Sequence, residues 1–214
     1  MVATGAGAEG LLNKKVAFVI NPFQEKVPGT WAQFVCLPAS WPMMAVLDDA
    51  TDYLSAGSVY VNPFTALSMY DIAKKKSVST IIHNAGASAL GKQLLRLTQK
   101  KGIELINVVR RPAQKEELHA MGSKYVIDTS KDGWEEEFKA LSHELKATII
   151  FDAIAGDIAG KFLSLMPNGS TLYNYGGLSG KPVGGFTGAE FIFQGKSVSG
   201  LWLGPYVMGL NPVE

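Results

Sequence analysis

The apolar positions of this chain follow two patterns that meet between residues 54 and 77. In the first part, short apolar runs at 15–20 and 30–37 are broken by Asn21-Pro22 and Pro28-Gly29, which predicts short strands joined by turns. In the second part, runs dominated by Ile, Val and Phe recur at 78–83, 103–109, 124–127, 147–152, 170–175 and 197–203, each of strand length. Helical spacing appears between them: Trp134, Phe138, Leu141 and Leu145 mark a helix over 133–146, and Leu90, Leu94 and Leu97 mark one over 88–101. Another helix, over 63–76, starts at a proline, whose missing N–H costs nothing in a first turn, and ends in lysines that suit the helix dipole. Strands alternating with helices predict a parallel sheet covered on both faces, because each parallel connection must cross back over the sheet. The expected fold is α/β, a doubly wound parallel sheet over residues 61–214 preceded by a β-rich segment over 1–60.

Composition narrows the function classes. The 214 residues carry 20 Lys+Arg against 19 Asp+Glu, a net charge of +1, with 47% hydrophobic residues. That apolar share forms a core rather than a disordered chain, and the balanced charge argues against a nucleic-acid surface. No run approaches the roughly 20 apolar residues of a membrane span, so no membrane partner is expected. Cys36 is the only cysteine and the three histidines are scattered, which leaves no metal site to propose. No secretory signal is visible at the N-terminus, and the expected location is the cytoplasm, with the mitochondrial matrix as the alternative. The 23 glycines point to tight turns or to close approach of backbone to a ligand.

The strand at 78–83 runs through small residues into a helix: His83, Asn84, Ala85, Gly86, Ala87, Ser88, Ala89, Leu90, Gly91. Gly86, Ser88 and Gly91 occupy the three positions of a G-x-G-x-x-G pattern, with serine second. Such a turn lets the backbone come close to a pyrophosphate at a helix N-terminus, although many tight strand-to-helix turns look alike. The next strand ends in Arg110 and Arg111, 19 and 20 positions after Gly91, with no acidic residue there. A carboxylate at that place would select NAD by its ribose hydroxyls, whereas arginine accommodates the 2′-phosphate of NADPH. The plain alternative is a pair of solvated arginines in a loop.

Together these residues resemble the medium-chain dehydrogenase/reductase superfamily, in its zinc-free quinone oxidoreductase and 2-enoyl thioester reductase branch. The resemblance runs from residues 29–34 and Val61, Asn62, Pro63, Phe64, Thr65 through the glycine turn and 106–110 to Tyr175, Gly176, Gly177, Leu178 and residues 200–203. It implies a GroES-like β domain, of which residues 1–60 are the tail and linker, followed by a Rossmann dinucleotide-binding domain over 61–214. Asn62 and Thr65 would then lie near the nicotinamide, with Asn62 the one catalytic candidate. Asn84, Ala85, Gly86, Ser88, Ala89, Leu90 and Gly91 would face the pyrophosphate, and Arg110 and Arg111 the 2′-phosphate. Tyr175, Gly176, Gly177, Leu178, Trp202 and Leu203 would flank the ring. Each has a duller reading: core aromatics for Tyr175 and Trp202, a helix-turn hydroxyl for Thr65, a capping amide for Asn62.

The resemblance also implies metal-free hydride transfer from NADPH to a small-molecule substrate, an α,β-unsaturated carbonyl such as an enoyl thioester, or a quinone. Residues 21–28 are too short for the cysteine-bearing lobe of zinc enzymes in this superfamily, and 61–65 hold no zinc ligand. It implies a homodimer through the edge strand 197–203. The resemblance further implies that the chain starts midway through the catalytic domain and stops before the closing helices. A fragment that only binds dinucleotide is therefore the alternative, and a structural protein with a vestigial nucleotide fold a third reading.

Overall fold

In the computed structural model, residues 1–20, 29–40 and 43–210 are described. They belong to two compact units, Met1–Phe64 with Leu203–Glu214, and Thr65–Trp202.

In the first unit a short 3-10 helix (Glu9–Leu11) precedes β1 (Val16–Phe18), which pairs antiparallel with β2 (Met44–Val46). The strand expected at 30–37 is absent. Trp31 and Phe34 are fully and largely exposed, so that run has no facing apolar surface to make a strand worthwhile. The partner of β1 is instead Met44–Val46. The turn expected within 21–28 lies outside the described residues. Helix α1 (Tyr53–Ala56) follows, capped by Asp52, whose carboxylate accepts the Ser55 N–H at 2.9 Å. Helix α2 (Val61–Lys75) then leads into the second unit, starting two residues before the expected proline.

The second unit alternates strand and helix: β3 (Thr80–His83), α3 (Ala89–Lys101), β4 (Glu104–Val109), α4 (Pro112–Ala120), β5 (Tyr125–Asp128), α5 (Trp134–Glu144), β6 (Ile149–Asp152), α6 (Asp157–Leu165), β7 (Thr171–Asn174), α7 (Gly188–Gln194) and β8 (Ser197–Gly200). All pairings are parallel, in the order β5-β4-β3-β6-β7-β8. Counting from the first sheet strand, that is 3-2-1-4-5-6, the doubly wound dinucleotide-binding order. Alternation along each strand divides the core in two. Ile81, Leu105, Val126 and Ile149 face one side, with Met69 of α2, Leu94 of α3 and Leu118 of α4. Ile82, Ile106, Ile127 and Ile150 face the other, with Phe138 of α5 and Phe162 of α6.

The final strand is shorter than expected. It stops at Gly200, and Leu203 opens helix α8 (Leu203–Met208), which groups with the first unit. Among the described residues β8 pairs only with β7, and all four of its residues are exposed, so it is the edge that the family resemblance implies. Among the described residues, no helix is long and apolar enough to cross a membrane.

Candidate functional site

The site grows from the turn between β3 and α3. The Gly86 N–H donates to the Val108 carbonyl at 3.1 Å, tying the turn to β4. A Cβ at Gly86 would lie 2.8 Å from the Asn107 side chain, and one at Gly91 2.3 Å from the Gly86 carbonyl oxygen. Glycine at both places is thus a packing requirement: the first turn of α3 lies directly on the loop. Ser88 has extended backbone and caps α3, its hydroxyl accepting the Gly91 N–H at 3.0 Å. Ser88 N–H is taken by the Ala85 carbonyl. Among the described residues, the N–H groups of Ala89 and Leu90 have no partner, as expected in the first turn of a helix.

Beside this turn lies a cavity of about 420 Å³. The turn lines it with Asn84, Ala85, Gly86, Ala87 and Ser88, and the end of β4 with Val108, Val109 and Arg110. Gln114 of α4, Thr129 after β5, Ile154 after β6, Ile158 and Phe162 of α6, and Leu178 and Ser179 complete the wall. Among the described residues, Arg110 is the only charged one in that lining, which holds no carboxylate. Among the described residues neither Arg110 nor Arg111 is ion-paired, and both are exposed. A cavity with a close-lying backbone, the N-cap residue of α3 and one cation in its wall suits an extended anionic ligand. Two further clefts, of about 260 and 360 Å³, open beside the first residues of β4 and β5. In open α/β sheets the ligand crevice lies at the other, carboxyl ends of the strands.

Beneath the cavity a buried hub joins three strands. The fully buried Asp152 carboxylate accepts hydrogen bonds from the Asn84 side-chain amide, from Asn174 Nδ2 at 2.8 Å, and from the Ile154 and Ala155 N–H groups at 3.0 and 3.2 Å. Asn84 Oδ1 in turn accepts the Ala153 N–H at 2.9 Å. These bonds lock β3 to β6, the neighbours between which the strand order reverses. Asn84 therefore lines the cavity with both side-chain polar atoms already engaged.

At the end of β3 the buried His83 meets the half-buried Tyr175. His83 Nε2 and the Tyr175 hydroxyl are 2.6 Å apart, and their rings stack with centroids 5.9 Å apart. Burial lowers the His83 pKa to about 4 and pushes the Tyr175 phenol well above its ordinary value, so both stay neutral near pH 7.

Of the expected residues, the cavity brings together Asn84, Ala85, Gly86, Ser88, Arg110 and Leu178. Ala89, Leu90 and Gly91 open α3 instead, with Leu90 and Gly91 buried. Arg111 is the N-cap of α4, and Tyr175 packs against the core. Gly176 lies against β6, where a Cβ would come 2.9 Å from the Ala153 carbonyl oxygen, while Gly177 has open space. Thr65 is buried in α2 and Trp202 is largely exposed. Asn62 and Leu203 belong to the first unit. Gln114, Thr129, Ile154, Ser179 and the Asp152 hub were not foreseen. Thr129 and Ile154 follow the ends of β5 and β6, a position that could have flagged them.

Residues 89–208 match the family model described as zinc-binding dehydrogenase. A mitochondrial enoyl-[acyl-carrier-protein] reductase of Arabidopsis thaliana is 29% identical over 180 residues, which is 82% of this chain and 47% of that protein. A Mesorhizobium loti structure provisionally assigned as an NADPH:quinone reductase has 27% identity and a TM-score of 0.85, over 97% of this chain and 59% of that one. The mitochondrial 2-enoyl thioester reductase Etr1p of Candida tropicalis, solved in one form with NADP and crotonyl-CoA, shares the fold at 22% identity and a TM-score of 0.64, over 74% of this chain and 46% of that one. The chain spans about half the length of the relatives it matches, 47% and 57% for two of them.

Proposed function

This chain belongs to the zinc-binding dehydrogenase family, in the medium-chain dehydrogenase/reductase branch of enoyl reductases and quinone oxidoreductases, and from that premise we propose that it is an NADPH-dependent reductase. The acceptor is an α,β-unsaturated carbonyl, such as an enoyl thioester, or a quinone, and no metal takes part. The observation that carries this reading is the cavity beside the glycine turn, whose lining holds Arg110 and no carboxylate.

When bound, NADPH supplies the hydride. The small residues Ala85, Gly86 and Ala87 let the backbone approach the pyrophosphate, and the free N–H groups of Ala89 and Leu90 donate to its oxygens. Ser88 keeps the turn in shape by capping α3. Arg110, with Arg111, neutralises the 2′-phosphate. Residues 175–178 and Trp202 shield the nicotinamide end from water. The roles of Thr65 near the ring, of Asn62 as a donor to the substrate carbonyl and of Leu203 rest on the family resemblance. The open edge of β8 supports a homodimer formed by strand pairing. The mitochondrial relatives support the matrix alternative over the cytoplasmic location first expected.

Fluorescence titration with NADPH and with NADH tests the reading. Micromolar NADPH binding, much weaker NADH binding and a loss of about tenfold or more on combined Arg110→Ala and Arg111→Ala are expected, because charge-assisted phosphate contacts are lost. Absence of binding to either cofactor overturns it. Oxidation of bound NADPH by an enoyl thioester or a quinone then separates a reductase from a module that only binds dinucleotide.

A further inference from the structure

We propose that His83 is a positioning residue: it holds the Tyr175 side chain so that residues 175–178 present one fixed backbone shape to the nicotinamide end of the dinucleotide. The inference rests on the dinucleotide reading above and adds a residue and a role to it.

His83 is fully buried on β3, on the same face as Ile81, where the core is otherwise aliphatic and aromatic. Among the described residues Nδ1 has no hydrogen-bond partner, so the imidazole carries the cost of one unsatisfied polar atom. An aliphatic side chain would fill that space without the cost. What an imidazole adds is the 2.6 Å contact from Nε2 to the Tyr175 hydroxyl and the stacking of the two rings, 16° from parallel. With both groups neutral, the hydrogen bond persists through the physiological pH range.

Tyr175 opens the loop after β7, and the loop is clamped on both sides of its glycines. The Tyr175 N–H donates to the Asp152 carbonyl at 2.9 Å, and the Leu178 N–H to the Ala153 carbonyl at 3.0 Å. Gly176 sits too close to Ala153 for any side chain, whereas Gly177 meets nothing within 4 Å. Freedom in this loop is therefore concentrated at Gly177, next to Leu178, which is 76% exposed and lines the cavity. The His83 contact fixes the orientation of the residue from which that short span departs. Arg110 and Gln114 mark one part of the cavity wall and Leu178 and Ser179 another, so loss of the contact acts on the part away from the arginine.

The test compares two ligands on this chain: NADPH, and 2′,5′-ADP, which carries the adenosine and its 2′-phosphate but no nicotinamide. Tyr175→Phe and His83→Leu are each expected to weaken NADPH about fivefold, the double variant no more than either alone, and 2′,5′-ADP binding is expected to stay unchanged. His83→Gln, which keeps a polar group in reach of Tyr175, is expected to retain most of the NADPH affinity. Should His83→Leu not fold, Tyr175→Phe, which removes a single oxygen, still decides the matter. NADPH affinity equal to wild type in folded Tyr175→Phe overturns the proposal, as does equal weakening of both ligands, which marks general damage. Wild type binding neither ligand overturns the dinucleotide reading itself.

Discussion

The two units of this chain use apolar residues in opposite ways. In residues 65–202, every sheet strand except β8 buries at least one side chain, and two sets of helices cover the two faces. In the first unit, Tyr60 and Gly204 are the only buried residues among those described, while Trp31, Phe34, Tyr53 and Leu54 stand exposed. The sequence of the first unit is no less apolar than that of the second. Apolar residues make structure only where a second surface receives them, and the β-α-β repeat provides its own while a three-residue strand pair does not.

Substitutions can break that contrast or sharpen it. The largest effect is expected at the centre of the second unit. Phe138→Ala removes a fully buried ring that packs on Phe162 at 5.1 Å, at a cost of about 3–5 kcal/mol in denaturant unfolding. A cost below about 1 kcal/mol would mean that the core is loosely packed after all. Next in size is acid sensitivity. The folded pKa of His83 is about 4, below its ordinary 6.5, so between these values the unfolded chain binds more protons than the folded one. The stabilisation is complete above pH 6.5 and is lost as the pH falls towards 4, roughly 3 kcal/mol over the window if this site acts alone. His83→Gln should flatten that part of the stability–pH curve. Smallest is Trp31→Ser, expected to change the stability of the second unit by less than about 0.5 kcal/mol. A larger loss would show that the exposed indole is covered by something in solution.

Much of the second unit was legible because its strands are short Ile- and Val-rich runs whose two faces are both buried, and because α3 and α5 keep helical spacing. Helix α4 was harder to read: Leu118 is its only buried residue, so almost no periodicity survives. The run at 30–37 looked like a strand because propensity is local, whereas pairing is not. In the site, the glycine turn and Arg110 lie close together in sequence and could be read directly. The role of Ser88 as a helix cap, rather than a missing glycine, was hidden by the match to the pattern. The Asp152 hub and the His83–Tyr175 pair were out of reach, since their members are 68 and 92 positions apart and meet only once the sheet forms.

The reversed strand order also bears on how the protein is made. β3 sits at the middle of the sheet, yet one of its two neighbours, β6, is translated long after it, as the pairing of Ile82 with Ile150 shows. At about 5–20 residues per second, a ribosome needs several seconds to cover that interval. Throughout it, the emerging half-sheet of β3, β4 and β5 presents an apolar, unpaired strand edge to the cell. The same topology that places the cavity beside β3 therefore leaves that edge open until β6 is made, and slow codons between β5 and β6 would prolong the exposure.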